Sequence, residues 1–136
     1  MKPQRVDLRG VTAVEEVVER VLETRLREAR ALAPALERRD TQSLHDFRIA
    51  CKRLRYALER FESLEPSLEE AAQRLASLQD ALGEAHDRDV LLAILPPTMP
   101  ETARRLRAER AARVEGAAAL WDDVERLVEG DDSHPV

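Results

Sequence analysis

Residues 44–61 read LHDFRIACKRLRYALERF. Apolar side chains fall at Leu44, Phe47, Cys51, Leu54, Leu58 and Phe61, stepping by three and four without a miss. That is the spacing of one buried seam on an α-helix packed against other helices. The same stretch carries a second row. One position beyond each of the first four seam residues stand His45, Arg48, Lys52 and Arg55, about 100° around the helix from the seam and spread over roughly 15 Å of its axis. Arg53 lies one step further round. Like charges at these spacings cost an isolated helix a few tenths of a kcal/mol per pair, and the segment offers only Asp46 and Glu59 against them. Something outside the helix should compensate the row.

Working outward, the helix starts on Asp40 or Thr41 as a cap and ends near residue 63, because Pro66 disfavours helical geometry at Glu65. Pro66 suits the first turn of a new helix over 66–95, with apolar positions at Leu68, Ala72, Leu75, Leu78, Leu82 and Ala85. Gly83 is a weak point inside that helix and marks close approach of another backbone. Pro96, Pro97 and Pro100 break the chain, and Thr98 to Glu101 has capping-box spacing at the start of a helix over 100–129. Its apolar line runs from Ala103 and Leu106 through Val114, Ala117, Trp121 and Val124 to Val128. Before α-helical residues 41–63, Thr12 and Glu15 give another capping box, opening a helix over 12–33 that Pro34 kinks or ends. Residues 130–136 read as a frayed acidic tail. The expectation is an all-α protein, one domain over 1–136, folded as an antiparallel four-helix bundle.

The chain of 136 residues is long enough for one hydrophobic core, and 36% charged residues with 3% aromatics suit long helices with charged outer faces rather than β-sheet. The formal net charge of −5 hides two basic patches. Residues 45–60 hold five Lys/Arg against two Asp/Glu, and residues 101–113 hold another five against two. Lys2 and Lys52 are the only lysines, so the cations are almost all arginine, the planar bidentate donor suited to phosphate and carboxylate. Cys51 is alone, which excludes an internal disulfide; with no apolar leader and no run near the roughly 18 residues of a membrane span, the expected location is the cytoplasm.

Several readings of the row compete. Carboxylates of neighbouring helices, such as Asp87 or Asp89, could pair with it internally, making the protein a purely structural bundle. An extended anion, a string of phosphates, could lie along it. Nucleic acid is poorly supported, since Phe47, Tyr56, Phe61 and Trp121 are the only aromatics and three of them fit the core, leaving no stacking platform. His45 could accept a phosphoryl group, as in phosphotransfer bundles, although those modules usually have Lys-Gly where this chain has Arg48-Ile49. A metal site is weaker still: no Glu stands three positions before any histidine, so the inward Glu-x-x-His pairs of di-iron bundles are missing. No metal and no cofactor are expected.

HDFRIACKRLR over 45–55 resembles the signature helix of the CHAD domain, a histidine-containing α-helical domain with the approximate pattern H-x-x-R-V-x-x-[RK]-R-L-R. LGEAHDRDV over 82–90 resembles that family's second motif, L-G-x-x-R-D-x-D-V. The resemblance implies a module that binds inorganic polyphosphate on basic helix faces, without catalysis of its own, and allows association with polyphosphate granules. Carried over position by position, the site residues are His45, Arg48, Lys52, Arg53 and Arg55. His86, Arg88, Arg104 and Arg107 are secondary candidates. His86 stands where the second motif usually has arginine, a donor whose charge depends on pH. A CHAD domain usually has two similar four-helix halves, and this chain looks like one. A homodimer with a two-fold axis would restore the pair and set two rows around one groove.

Overall fold

Prolines and caps divide the chain where backbone donors are lost or satisfied. The structure, a computed structural model, describes residues 2–129; the acidic tail expected over 130–136 lies outside the described residues. The helices are α1 (Val14–Leu32), the single turn α2 (Ala35–Arg38), α3 (Thr41–Phe61), α4 (Leu68–Ile94) and α5 (Pro100–Glu129). Among the described residues there is no strand, and no helix is long and apolar enough to cross a membrane.

The start of α3 is the one anticipated. Asp40 is extended, with ψ 151°, and its carboxylate accepts from the Ser43 N–H at 2.9 Å, satisfying one of the free donors of the first turn. That bond pulls the Asp40 carboxyl below the ordinary carboxylate range. Two other starts differ. Ala13 occupies the cap position of α1 and has no side-chain cap bond, so the Thr12–Glu15 capping box does not form and the helix begins two residues late. α4 begins at Leu68 because Pro66 and Ser67 make a preceding turn, with the Glu69 N–H donating to the Pro66 carbonyl at 3.1 Å. α5 opens on Pro100 as expected, yet the carbonyl accepting the first helical bond, from Ala103 at 3.1 Å, belongs to Met99 rather than Thr98.

Pro34 ends α1 and starts α2 after a two-residue turn, and Arg39 then closes α2 with φ 64°. A left-handed arginine costs roughly 1–2 kcal/mol. Its neighbours hold it there. The Arg39 N–H donates to the Ala35 carbonyl at 2.8 Å, and its own carbonyl accepts from the Arg110 guanidinium at 2.5 Å.

α3 packs against α1 and α4, α4 against α5, and α2 bridges α3 and α5. The expected seam of α3 is buried from Leu44 through Leu58, while Phe61 is only partly covered; Ala50 and Ala57 widen the buried face. Phe47 meets Trp121 of α5 edge-on, with centroids 5.3 Å apart and planes at 84°. Cys51 is fully enclosed, and burial raises its thiol pKa, so it behaves as a small core residue. α4 follows its expected line to Ala85, but Val90 turns outward at 49% exposure, and Val14 at the start of α1 is 60% exposed. On the remaining side, Arg30 of α1 pairs with Glu125 at 3.0 Å and with Glu129, both on α5. Glu125 holds its guanidinium above the ordinary value.

One polar tie joins three helices. Asp89 of α4 pairs with Arg110 of α5 at 2.5 Å and accepts from the Thr41 hydroxyl of α3 at 3.2 Å. Arg110 lies inward because it shares the helical phase of Leu106 and Val114, four residues to either side. Replacing Arg110 by alanine leaves Asp89 without its cation and the Arg39 carbonyl without its donor. Because the pair keeps side-chain exposures of 17% and 20%, urea unfolding should show a loss of about 2–3 kcal/mol, just under the range for a fully buried pair.

Asp40→Ala should lower the melting temperature at neutral pH, whereas Asp40→Asn, which can still accept, should cost less. A depressed folded-state carboxyl stabilises above its unfolded pKa and loses that contribution as pH falls through the folded value. The difference in melting temperature between wild type and Asp40→Ala should therefore shrink on acidification below the ordinary carboxylate range.

Candidate functional site

Burying the seam of α3 brings its basic row to the boundary with α4. Arg48 is half-buried there, and its Nε donates to the Gln79 carbonyl at 3.3 Å. Its guanidinium then passes over Gly83, where an added Cβ would meet a terminal nitrogen at 3.2 Å. The close approach expected at Gly83 is thus made by a side chain and not by another backbone. With no Cβ on α4 at this point, the Arg48 guanidinium packs across the helix boundary over Gly83, its Nε anchored on the Gln79 carbonyl.

Arg55, two turns along, has 23% side-chain exposure; it is 3.7 Å from Glu59 and sits over the ring of Tyr56 at 5.1 Å from the centroid. Lys52 is exposed, with its ammonium 5.7 Å from the same centroid. Tyr56 was not among the expected site residues. Its position four residues after Lys52 and next to Arg55 is the signal that could have found it, since such neighbours meet on a helix surface. It orders two long cationic side chains on the outer face.

His45 is exposed at the start of the second turn of α3 and lines a cleft with Thr41, Arg48, His86 and Asp89. The structure therefore brings together the histidines of the two sequence motifs, one from α3 and one from α4. The cleft has a volume of about 20 Å³, room for a single water. A phosphate group would rest over its mouth and not within it.

The remaining candidates separate. Arg53 is half-buried and turned by about 100° from Lys52 and 140° from Arg48, on a different flank of α3. Arg88 faces α5, where it lies 3.6 Å from Glu109, and it donates to its own helix at the Glu84 carbonyl. Two residues along a helix are about 200° apart, so His86 and Arg88 cannot serve the same face. Arg104 and Arg107 are exposed on the first two turns of α5.

The internal-pairing reading made a specific demand that Asp89 does not meet, because Arg110 and Thr41 already engage it. Among the described residues, no carboxylate lies within 4.0 Å of a side-chain nitrogen of His45, Arg48 or Lys52. Arg55 alone of that row has an ion pair, a long and exposed one. Among the described residues, too, no group of three or more His, Cys, Asp or Glu side chains could hold a metal ion. What the face offers is a line of cationic donors, at a mean axial step of about 5 Å, to an anion carrying several charges in series.

A family model for the CHAD domain matches residues 2–96. Searches of curated proteins and of solved structures gave no match. The matched part takes in the whole basic row of α3, both cleft histidines, Gln79 and Gly83, and leaves α5 outside. The chain belongs to the CHAD-domain family, a family associated with polyphosphate binding.

Proposed function

We propose that this protein binds inorganic polyphosphate along α3 and performs no chemistry of its own. The observation that carries this reading is the uncompensated row: Arg48 and Lys52 stand one turn apart on α3 with no carboxylate within ion-pair distance among the described residues. Arg48 is the anchor, because its bond to Gln79 holds its plane before any ligand arrives and so lowers the ordering cost of binding. Lys52 and Arg55 extend the line, steadied by Tyr56. His45 and His86 complete it at the mouth of the cleft, while Arg53 contributes from the adjacent flank by way of a wrapped or second chain segment. Arg104 and Arg107 form a separate, weaker basic surface on α5. The setting is the cytoplasm, free or on polyphosphate granules, in keeping with the solitary buried thiol.

A second copy supplies a second row. The family resemblance, which implies two basic rows from paired four-helix units, supports this pairing. Two rows in a homodimer would act on one polyphosphate chain with the gain in avidity that linked sites provide.

Lys52→Ala and Arg48→Ala should each weaken binding of a defined-length polyphosphate at moderate salt, and each should lower the slope of log affinity against log salt by about one. Titration calorimetry at two salt concentrations reads both effects; unchanged affinity and slope would refute the α3 site. Arg48→Ala should be the more damaging.

Gly83→Ala separates stability from binding. Alanine gains up to about 1 kcal/mol of helix propensity over glycine, and the contact its methyl makes is with the movable end of Arg48. The variant should melt at or above the wild-type temperature while binding polyphosphate less tightly, because the terminal nitrogen of the guanidinium must give way to the new methyl, disturbing the plane that the bond to Gln79 holds.

A further inference from the structure

The two ends of the bundle leave different apolar surfaces open. Where α1 begins and α5 ends, a groove of about 750 Å³ runs between them, floored by side chains such as Val18, Leu22, Leu58, Leu68 and Leu127. Its lining also includes five carboxylates, Glu15, Glu19, Glu23, Glu65 and Glu129, against the single cation Arg30, which is already paired with Glu129. At the far end of α4, Val90, Leu91 and Ile94 are 49%, 45% and 74% exposed, and Met99 beside them is 43% exposed. This corner leads directly into Arg104, Arg105 and Arg107, all exposed; of the nearby acids in sequence, Asp89 is paired with Arg110 and Glu109 lies 3.6 Å from Arg88, which leaves Asp87 and Glu101. Apolar surface of this kind, gathered and rimmed by charge, marks a contact site.

We propose that the Val90–Met99 corner of one copy of this chain seats in the acid-rimmed groove of another. Charge complementarity selects the occupant: a basic-flanked apolar corner meets an acidic apolar groove, whereas groove against groove would set five carboxylates facing five. A molecule cannot fill its own groove with its own corner. Ala71 lines the groove and Ile94 forms the corner, 23 residues apart on one straight helix, or about 35 Å. The contact joins unlike surfaces, and made twice about a two-fold axis, each corner in the other copy's groove, it gives the homodimer. It deepens the two-copy reading above and rests on that reading for its purpose, which is to present more than one row to a single polyphosphate chain.

The test is sedimentation velocity of the full chain without polyphosphate, over a concentration series at low and moderate salt. The wild type should associate, more strongly at low salt. Ile94→Asp, at a position already 74% exposed, and the double variant Glu19→Lys/Glu23→Lys, on the exposed rim, should remain helical by circular dichroism. Each alone should associate at least about tenfold more weakly, the first by placing a charge in the groove and the second by reversing the rim. Mixed in equal amounts they should associate again, because the mixture contains one intact corner and one intact groove. A monomeric wild type, a variant that associates like wild type, or a mixture no stronger than its parts would each overturn the proposal. Titrating Ile94→Asp with polyphosphate then reads the α3 row by itself, so failure of the contact and failure of the binding site are distinguished.

Discussion

Burying Phe47 decides where Arg48 goes. The ring is fully enclosed against Trp121, and the next residue on the helix is rotated by about 100°, which places its side chain at the edge of the buried face and not in open solvent. The same step carries Leu44 to His45, Cys51 to Lys52 and Leu54 to Arg55. The core and the basic row are therefore two readings of one helical phase. Any rotation of α3 that exposed the row further would pull Phe47, Cys51 and Leu54 out of the core, three side chains that the structure holds at 0–1% exposure. At roughly 1.5–3 kcal/mol for a large apolar side chain, the seam outweighs the repulsion within the row. The fold bears the electrostatic strain that the site needs.

Keeping that row available requires restraint elsewhere. Asp89 lines the same cleft as His45 and Arg48 and would be the natural counter-charge for either. Arg110 prevents this by taking one carboxylate oxygen at 2.5 Å, while Thr41 donates to the other at 3.2 Å. An inward arginine on α5 thus has two consequences. It fastens α4 to α5 and to the left-handed turn at Arg39, and it occupies the acid that could otherwise neutralise the ligand face. Glu109 and Glu84 act comparably on the opposite flank of α4, engaging Arg88 and Arg113 across the helix boundary. Charges between α4 and α5 engage each other, while among the described residues His45, Arg48 and Lys52 of α3 have no carboxylate within ion-pair distance.

The bundle was legible because its seams are regular. Six apolar residues at steps of three and four allowed α3 to be placed within two residues of its observed end, and the prolines at 34, 66, 96, 97 and 100 placed the breaks. Helix starts were less legible, since a Thr-x-x-Glu spacing states only that a capping box is possible; the chain entering α1 is positioned instead by contacts such as Gln4 to Glu28, 24 residues apart. Within the site, the row of α3 could be read from one helix, but its fittings could not. That Arg48 reaches Gln79 and passes over Gly83 depends on how α3 crosses α4, a relation without any local sequence signal. Arg88 illustrates the converse. It stands in a recognisable motif next to His86 and Asp89, yet the helix turns it toward α5, so membership of the motif did not carry it to the ligand face.

The region matched to the family ends at residue 96, before α5 begins, yet α5 supplies Trp121 to Phe47 and Arg110 to Asp89. Both contacts act on the first half of α3, where His45 and Arg48 stand. A segment outside the shared region therefore holds the shared site in place: without Trp121 Phe47 loses its edge-on ring contact, and without Arg110 the carboxylate in the cleft loses its cation. The far end of α5 serves a different purpose, since its Leu127 and Val128 help line the open groove. One helix thus closes the bundle where the basic row needs rigid support and leaves it open at the other end, where apolar surface without a partner has most to gain from a second molecule.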